Sequence, residues 1–217
     1  MRRVSLFAVA LVALVVLGAG GASAQSSAWG STNGVVVFRS DRDGEPDVFT
    51  LDPSTSSVTN LTSGSGAAEL QPAWSPEGER IAYVRRAGIA GRADLFVMNP
   101  SGGGRTRLTS TPVPERDPSW SPDGTRLVFE RCCENGTSDL FTIDVATRAE
   151  VNLTPSSTQQ DFDPVWSPDG TRIAFVSFEV GQGNLDVWVM NADGTAPMRL
   201  TQEAGPDLAP DWQPIPA

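Results

Sequence analysis

The sequence predicts an all-β chain built from four copies of one unit, and three observations predict it. First, Pro72-Ala73-Trp74-Ser75-Pro76-Glu77-Gly78 recurs as Pro118-Ser119-Trp120-Ser121-Pro122-Asp123-Gly124 and as Pro164-Val165-Trp166-Ser167-Pro168-Asp169-Gly170; its first half returns as Pro210-Asp211-Trp212. Second, Trp74, Trp120, Trp166 and Trp212 follow one another at a constant spacing of 46 residues. Third, the intervening residues fall into short runs rich in Val, Ile and aromatics, bounded by Gly, Pro and Asp, and show no 3.6-residue period. Repeats of roughly 40–50 residues that hold four short strands are propeller blades. The expected fold is therefore a β-propeller of about four four-stranded blades.

The elements follow in chain order. Arg2 and Arg3 precede an apolar run over 4–17 and the small residues Ala22-Ser23-Ala24, the pattern of a secretory signal peptide cut after Ala24. That run is shorter than the ~20 residues a membrane-spanning helix needs, so no span is expected after cleavage and the protein is expected to be periplasmic or secreted. The domain reading is 1–24 signal peptide, 25–33 linker and 34–217 propeller. The repeat begins out of phase. Val35-Val36-Val37-Phe38 reads as a second strand, Asp47-Val48-Phe49-Thr50-Leu51 as a third and Asn60-Leu61-Thr62 as a fourth. Three units then carry all four strands. Each runs from its Trp strand through an apolar run such as Ile81-Ala82-Tyr83-Val84 and an Asp-led strand such as Asp94-Leu95-Phe96-Val97-Met98 to an Arg-Leu-Thr or Asn-Leu-Thr edge. Ala209-Pro210-Asp211-Trp212 supplies one further Trp strand. Its pairing with residues 35–38 would complete the first blade, close the ring as a monomer and hide sheet edges.

Composition narrows the partners. Without Arg2 and Arg3, the 16 basic residues fall to 14 against 26 acidic ones, a net charge of −12. Such a surface repels polyanions, so no nucleic-acid partner is expected. A protein partner, or a neutral or cationic ligand at the channel mouth and loops, fits better. The chain has no histidine, which removes Ser-His-Asp and Cys-His catalysis and imidazole metal ligands.

Several polar positions invite a chemical reading. Ser-Pro-Asp-Gly segments have the residue order of turns, with Gly where φ is positive. Asp47, Asp94, Asp139 and Asp186 each lead a third strand, and their presence in every copy implies a hydrogen bond to the adjacent turn. Five residues before each repeated Trp lies a carboxylate, namely Glu69, Glu115, Asp161 and Asp207. On innermost strands these four would form a ring at one channel mouth, where like charges recruit a cation such as calcium; the alternative is that each caps local backbone. Asp41-Arg42-Asp43-Gly44 resembles the start of a calcium loop but lies in a hairpin, where a tight turn is the simpler reading. Cys132 and Cys133 are adjacent, and in an oxidising compartment form a vicinal disulfide or remain unpaired. No other cofactor is expected. A rival reading is a lyase or glycosidase acting on envelope polysaccharide, with acid–base candidates among Asp161, Asp163 and Glu115. No recognisable catalytic constellation supports it, so the expected role is a binding module.

The Trp-Ser-Pro-Asp-Gly, Asp-led and Arg-Leu-Thr segments together resemble the WD-like propeller repeats of the TolB type, over about residues 34–213. The resemblance implies a propeller that docks proteins or ligands on its faces or at its central channel, in the cell envelope. The residues read as four repeats, fewer than in TolB, and none of them is expected to form its extra N-terminal α/β domain, so the resemblance is expected to carry fold and broad role but not membership of the Tol-Pal system. Similar repeats also form the gating propellers of prolyl-oligopeptidase-like peptidases.

Overall fold

The structure, a computed structural model, describes residues 34–88, 92–134, 137–155, 158–178 and 183–214. The signal peptide and linker of the sequence reading lie outside these residues. Every regular element within them is a β-strand, and no helix among them is long and apolar enough to cross a membrane.

The strands form four antiparallel meanders. The first sheet holds β1 (Val36–Ser40), β2 (Asp47–Asp52) and β3 (Ser57–Asn60). The second holds β4 (Ala68–Trp74), β5 (Ile81–Arg86), β6 (Ala93–Met98) and β7 (Thr106–Arg107). The third holds β8 (Glu115–Trp120), β9 (Arg126–Glu134), β10 (Thr137–Asp144) and β11 (Glu150–Asn152). The fourth holds β12 (Gln160–Trp166), β13 (Arg172–Phe178), β14 (Leu185–Asn191) and β15 (Met198–Arg199).

The second strand of each full blade is apolar on both faces because neighbouring blades sandwich it; Ile81, Ala82, Tyr83 and Val84 are all buried. Each repeated Trp joins its own sheet to the preceding one. Trp74 shares a core cluster with Val48 and Leu61 of the first sheet, Trp120 with Leu95 and Leu108 of the second, and Trp166 with Leu140 and Leu153 of the third. Arg80 and Arg126 stack over the Trp120 and Trp166 rings at 4.7 and 4.8 Å, adding cation–π attraction across two interfaces.

The repeated polar residues hold the blade. In the Ser-Pro-Asp-Gly turns, Ser121 and Thr125 donate to Asp123, Ser167 and Thr171 donate to Asp169, and Gly124 and Gly170 sit at φ 69°. The third-strand aspartates bond the fourth strand rather than the turn: Asp94 pairs with Arg107 at 2.8 Å, Asp139 accepts from Asn152 at 2.8 Å, and Asp186 pairs with Arg199 at 2.6 Å. The threonine after the invariant Leu then caps the ladder, as Thr109 Oγ1 accepts the Leu95 N–H at 2.9 Å. The Asp41 segment is a tight turn, closed by Gly44 N–H to Asp41 O at 3.0 Å.

The two ends differ from the closed ring expected from the repeat phase. Trp212 occupies an inner-strand place beside the fourth sheet, donating its indole N–H to Val165 O at 3.2 Å as Trp120 does to Ala73 O at 3.1 Å. Residues 201–214 carry no strand, and β1 pairs only with β2. Among the described strands, no contact joins the fourth sheet to the first. Val36 is therefore 48 % exposed where its counterparts Ile81, Leu127 and Ile173 are fully buried, and Leu200 is 51 % exposed against 6–7 % for Leu61, Leu108 and Leu153. The closing ladder on which the monomer expectation rests is not formed here.

Candidate functional site

The channel face is made by an irregularity that all the inner strands share. The ladders β4–β5, β8–β9 and β12–β13 each slip register, between Leu70 and Ala73, Arg116 and Ser119, and Phe162 and Val165. Gln71, Asp117 and Asp163 lie in these bulges with φ 50–51°, and Ala209 takes φ 53° at the same repeat position. A proline follows each one; it has no N–H to lose from the ladder. Bulges re-aim a side chain at the cost of backbone strain, and non-glycine residues in the left-handed region concentrate at functional sites.

These four residues and their prolines, with Val165, line a cavity of about 340 Å³. Gln71 donates its amide to the Asp117 carboxylate, and the Asp117 N–H returns to Gln71 Oε1 at 3.2 Å. Burial raises the pKa of Asp117 to about 6, helped by the charges of Asp163 and Glu130 and opposed by Arg116 and Gln71. Burial also pushes Asp163 up. Glu130, 5 % exposed, is raised by burial against a hydrogen bond from Ser138 and the charge of Arg116. Three carboxyl groups with one arginine nearby make a field that holds a proton tightly and favours any cation that replaces it.

The carboxylates expected at the channel mouth lie elsewhere. Glu69 and Glu115 are fully buried and Asp161 is 2 % exposed. Each is held by side chains of its own second strand or of the connection that leads into its blade. Glu69 accepts from Ser65 at 3.0 Å and pairs with Arg85 at 3.3 Å. Glu115 accepts from Thr109 and Thr111 at 2.8 and 2.6 Å and pairs with Arg131 at 3.2 Å. Asp161 accepts from Ser177 at 2.6 Å. Asp207 is half-buried, and its backbone N–H bonds Leu185 O at 2.8 Å. Among the described residues no group of three or more His, Cys, Asp or Glu is placed to hold a metal ion. These acids do not form the expected ring because residues two apart share a face only in a regular strand, and the bulge turns the later position of the pair towards the channel. Of the acid–base candidates, Asp163 alone lines the channel cavity. Asp117 and Gln71 were missed, although the variation Gln, Asp, Asp, Ala before an invariant Pro was the available signal.

Cys132 is 7 % exposed and disulfide-bonded. The chain has one other cysteine, Cys133, whose side chain lies outside the described residues.

Comparison with known proteins agrees with this architecture. A curated Tol-Pal system protein TolB from Francisella tularensis subsp. mediasiatica is 30 % identical over 81 residues, 37 % of this chain and 18 % of its own length. The match thus spans under a fifth of that relative. The crystal structure of TolB from Acinetobacter baumannii superposes with a TM-score of 0.65 at 21 % identity, covering 77 % of this chain and 40 % of that one. An oligogalacturonate lyase from Vibrio parahaemolyticus superposes at 0.63 with 17 % identity, covering 78 % and 50 %; at such identities both structures show the fold alone. The family model of the TolB beta propeller domain matches residues 12–160, more than half of the sequence. The chain belongs to the TolB beta propeller family.

Proposed function

We propose that this protein is an exported scaffold that binds a protein partner through a basic group received at the channel face formed by Gln71, Asp117 and Asp163. The observation that carries the reading is the break in symmetry at that face. Scaffold residues repeat in every blade, whereas the channel position changes from Gln to Asp to Ala while keeping its left-handed backbone. Low-dielectric surroundings strengthen the attraction between a carboxylate pair and an incoming cation. A calcium ion is the small-ligand counterpart of the same recognition. Family membership and the leader pattern support export to the envelope or beyond.

The test is a pull-down from envelope extract with the mature protein as bait, beside calcium titration by calorimetry. The Asp117→Asn, Asp163→Asn variant is expected to lose the captured partner and any calcium heat. Capture unchanged in that variant refutes the channel reading. N-terminal sequencing of the exported protein checks the cut after Ala24. The oligogalacturonate lyase likeness keeps a polysaccharide-cleaving reading open to assay with envelope polysaccharides and oligogalacturonate, in which no product is expected.

A further inference from the structure

Three of the four blades seat an arginine on the same pair of aromatic rings. Each blade stacks a second-strand ring against a third-strand ring: Phe38 on Phe49, Tyr83 on Phe96, Phe129 on Phe141 and Phe175 on Trp188. Arg42 lies 4.8 Å from the Phe49 centroid, Arg85 5.7 Å from Phe96, and Arg131 4.2 Å from Phe141. In the second and third blades the same guanidinium also meets a buried carboxylate, Arg85 on Glu69 and Arg131 on Glu115.

The fourth blade keeps the rings and the buried acid but lacks the arginine. Register pairs Glu69 with Arg85 and Glu115 with Arg131, and the corresponding pair is Asp161 with Ser177. Exchanging Arg for Ser and shortening Glu to Asp coincides with a cavity of about 480 Å³, lined by Asp161, Phe175, Trp188, Gln159, Leu153 and Pro197 among others. Among the described residues no basic side chain lines it. All 16 basic residues are arginines, and segments 156–157 and 179–182 contain none. Arg199 is engaged by Asp186 at 2.6 Å and by Thr201 O at 2.8 Å.

We propose that this cavity, between the third and fourth blades, binds a guanidinium group from outside the chain, in the place that Arg85 and Arg131 hold in their own blades. The group comes from an arginine side chain of a partner protein or from a small alkylguanidinium compound. Guanidinium suits the site because it is planar, weakly hydrated and stacks on aromatic faces, and Trp is the strongest such face. Asp161 is already engaged, by Ser177 among others, and the Ser177 hydroxyl also lies 2.7 Å from Gln159 Oε1; a carboxylate has about four lone-pair sites, and the guanidinium would add to these contacts. Glu115 shows the arrangement filled, accepting from Thr109, Thr111 and Arg131 at once. The site is distinct from the channel, and the inference does not rest on the channel reading.

The test is calorimetric titration of the full mature protein with N-acetylargininamide and with methylguanidinium, urea serving as the uncharged planar control. Saturable one-to-one binding is expected, with Kd on the order of millimolar or tighter for such small probes, and none with urea. Asp161→Asn is expected to weaken binding about tenfold or more. Ser177→Arg fills the place from within, so it is expected to abolish binding while holding or raising Tm. Tighter binding of N-acetylargininamide assigns a protein side chain as the source; tighter binding of methylguanidinium assigns a small molecule. Absence of saturation in the unsubstituted protein overturns the proposal. So does binding that survives Ser177→Arg, binding equal to that of urea, or a Ser177→Arg protein whose Tm falls.

Discussion

Glu115 and Asp117 stand two residues apart on β8, and their surroundings have little in common. Glu115 is sealed from solvent among Thr109 at the end of the second blade, Thr111 in the connection that follows it, and Arg131 of its own blade. Asp117 lies on a bulge, bonds Gln71 of the preceding blade, and faces the channel with Asp163. An acid repeated in every copy serves the blade, since each blade needs the same contact. An acid whose position varies from copy to copy is free to serve something outside the repeat.

The largest effect that separates the two comes from removing the scaffold acid. Glu115→Ala takes from buried Arg131 one of its two carboxylates, Glu150 remaining at 2.8 Å, and leaves Thr109 and Thr111 without their acceptor, at a cost of about 3–5 kcal/mol, which urea unfolding followed by circular dichroism reads directly. The comparison narrows if the loss is below about 1 kcal/mol. The repeat leucines extend the same contrast between position and surroundings. Leu153→Ala is expected to cost about 2–5 kcal/mol as a buried truncation, and Leu200→Ala, at 51 % exposure, well under half of that.

Asp117 predicts a pH effect of opposite sense. Its ordinary value is 3.8 and its folded value about 6. The folded state thus binds the proton more tightly, and this contribution to stability is greatest below pH ~4 and declines as pH rises to ~6. Asp117→Asn should flatten that limb without loss of fold, as seen in melting curves taken across the range. The smallest effect belongs to the turn acids. Hydrogen bonds from Ser167 and Thr171 hold Asp169 down at about 2, so its contribution is present above pH ~4 and is lost as pH falls towards ~2. Asp169→Ala removes that acid limb alone.

Much of this was legible in the residues. The constant Trp spacing, the Ser-Pro-Asp-Gly turns and the Asp-led strands each report a contact that every blade repeats, so pattern and structure coincide. The site was less legible. Counting back from Trp finds both Glu115 and Asp117, but only the register slip between Arg116 and Ser119 decides which of them meets the channel. The change from Arg131 to Ser177 is likewise plain in an alignment of the repeats. That it coincides with a cavity beside Phe175 and Trp188 depends on how the third and fourth blades pack.

The sequence by itself determined the blade: its strand order, its turns, its tryptophan interfaces and the acids that lock them. These are local or one-repeat interactions, specified by residue type at fixed spacing. The tertiary structure alone decided where blades meet and what is left open between them. Bulges redirected Gln71, Asp117 and Asp163 into the channel, the ends of the chain left Val36 and Leu200 uncovered, and an absent arginine in the fourth blade accompanied a cavity. Each depends on side chains distant in sequence competing for one volume, which no spacing of residues records.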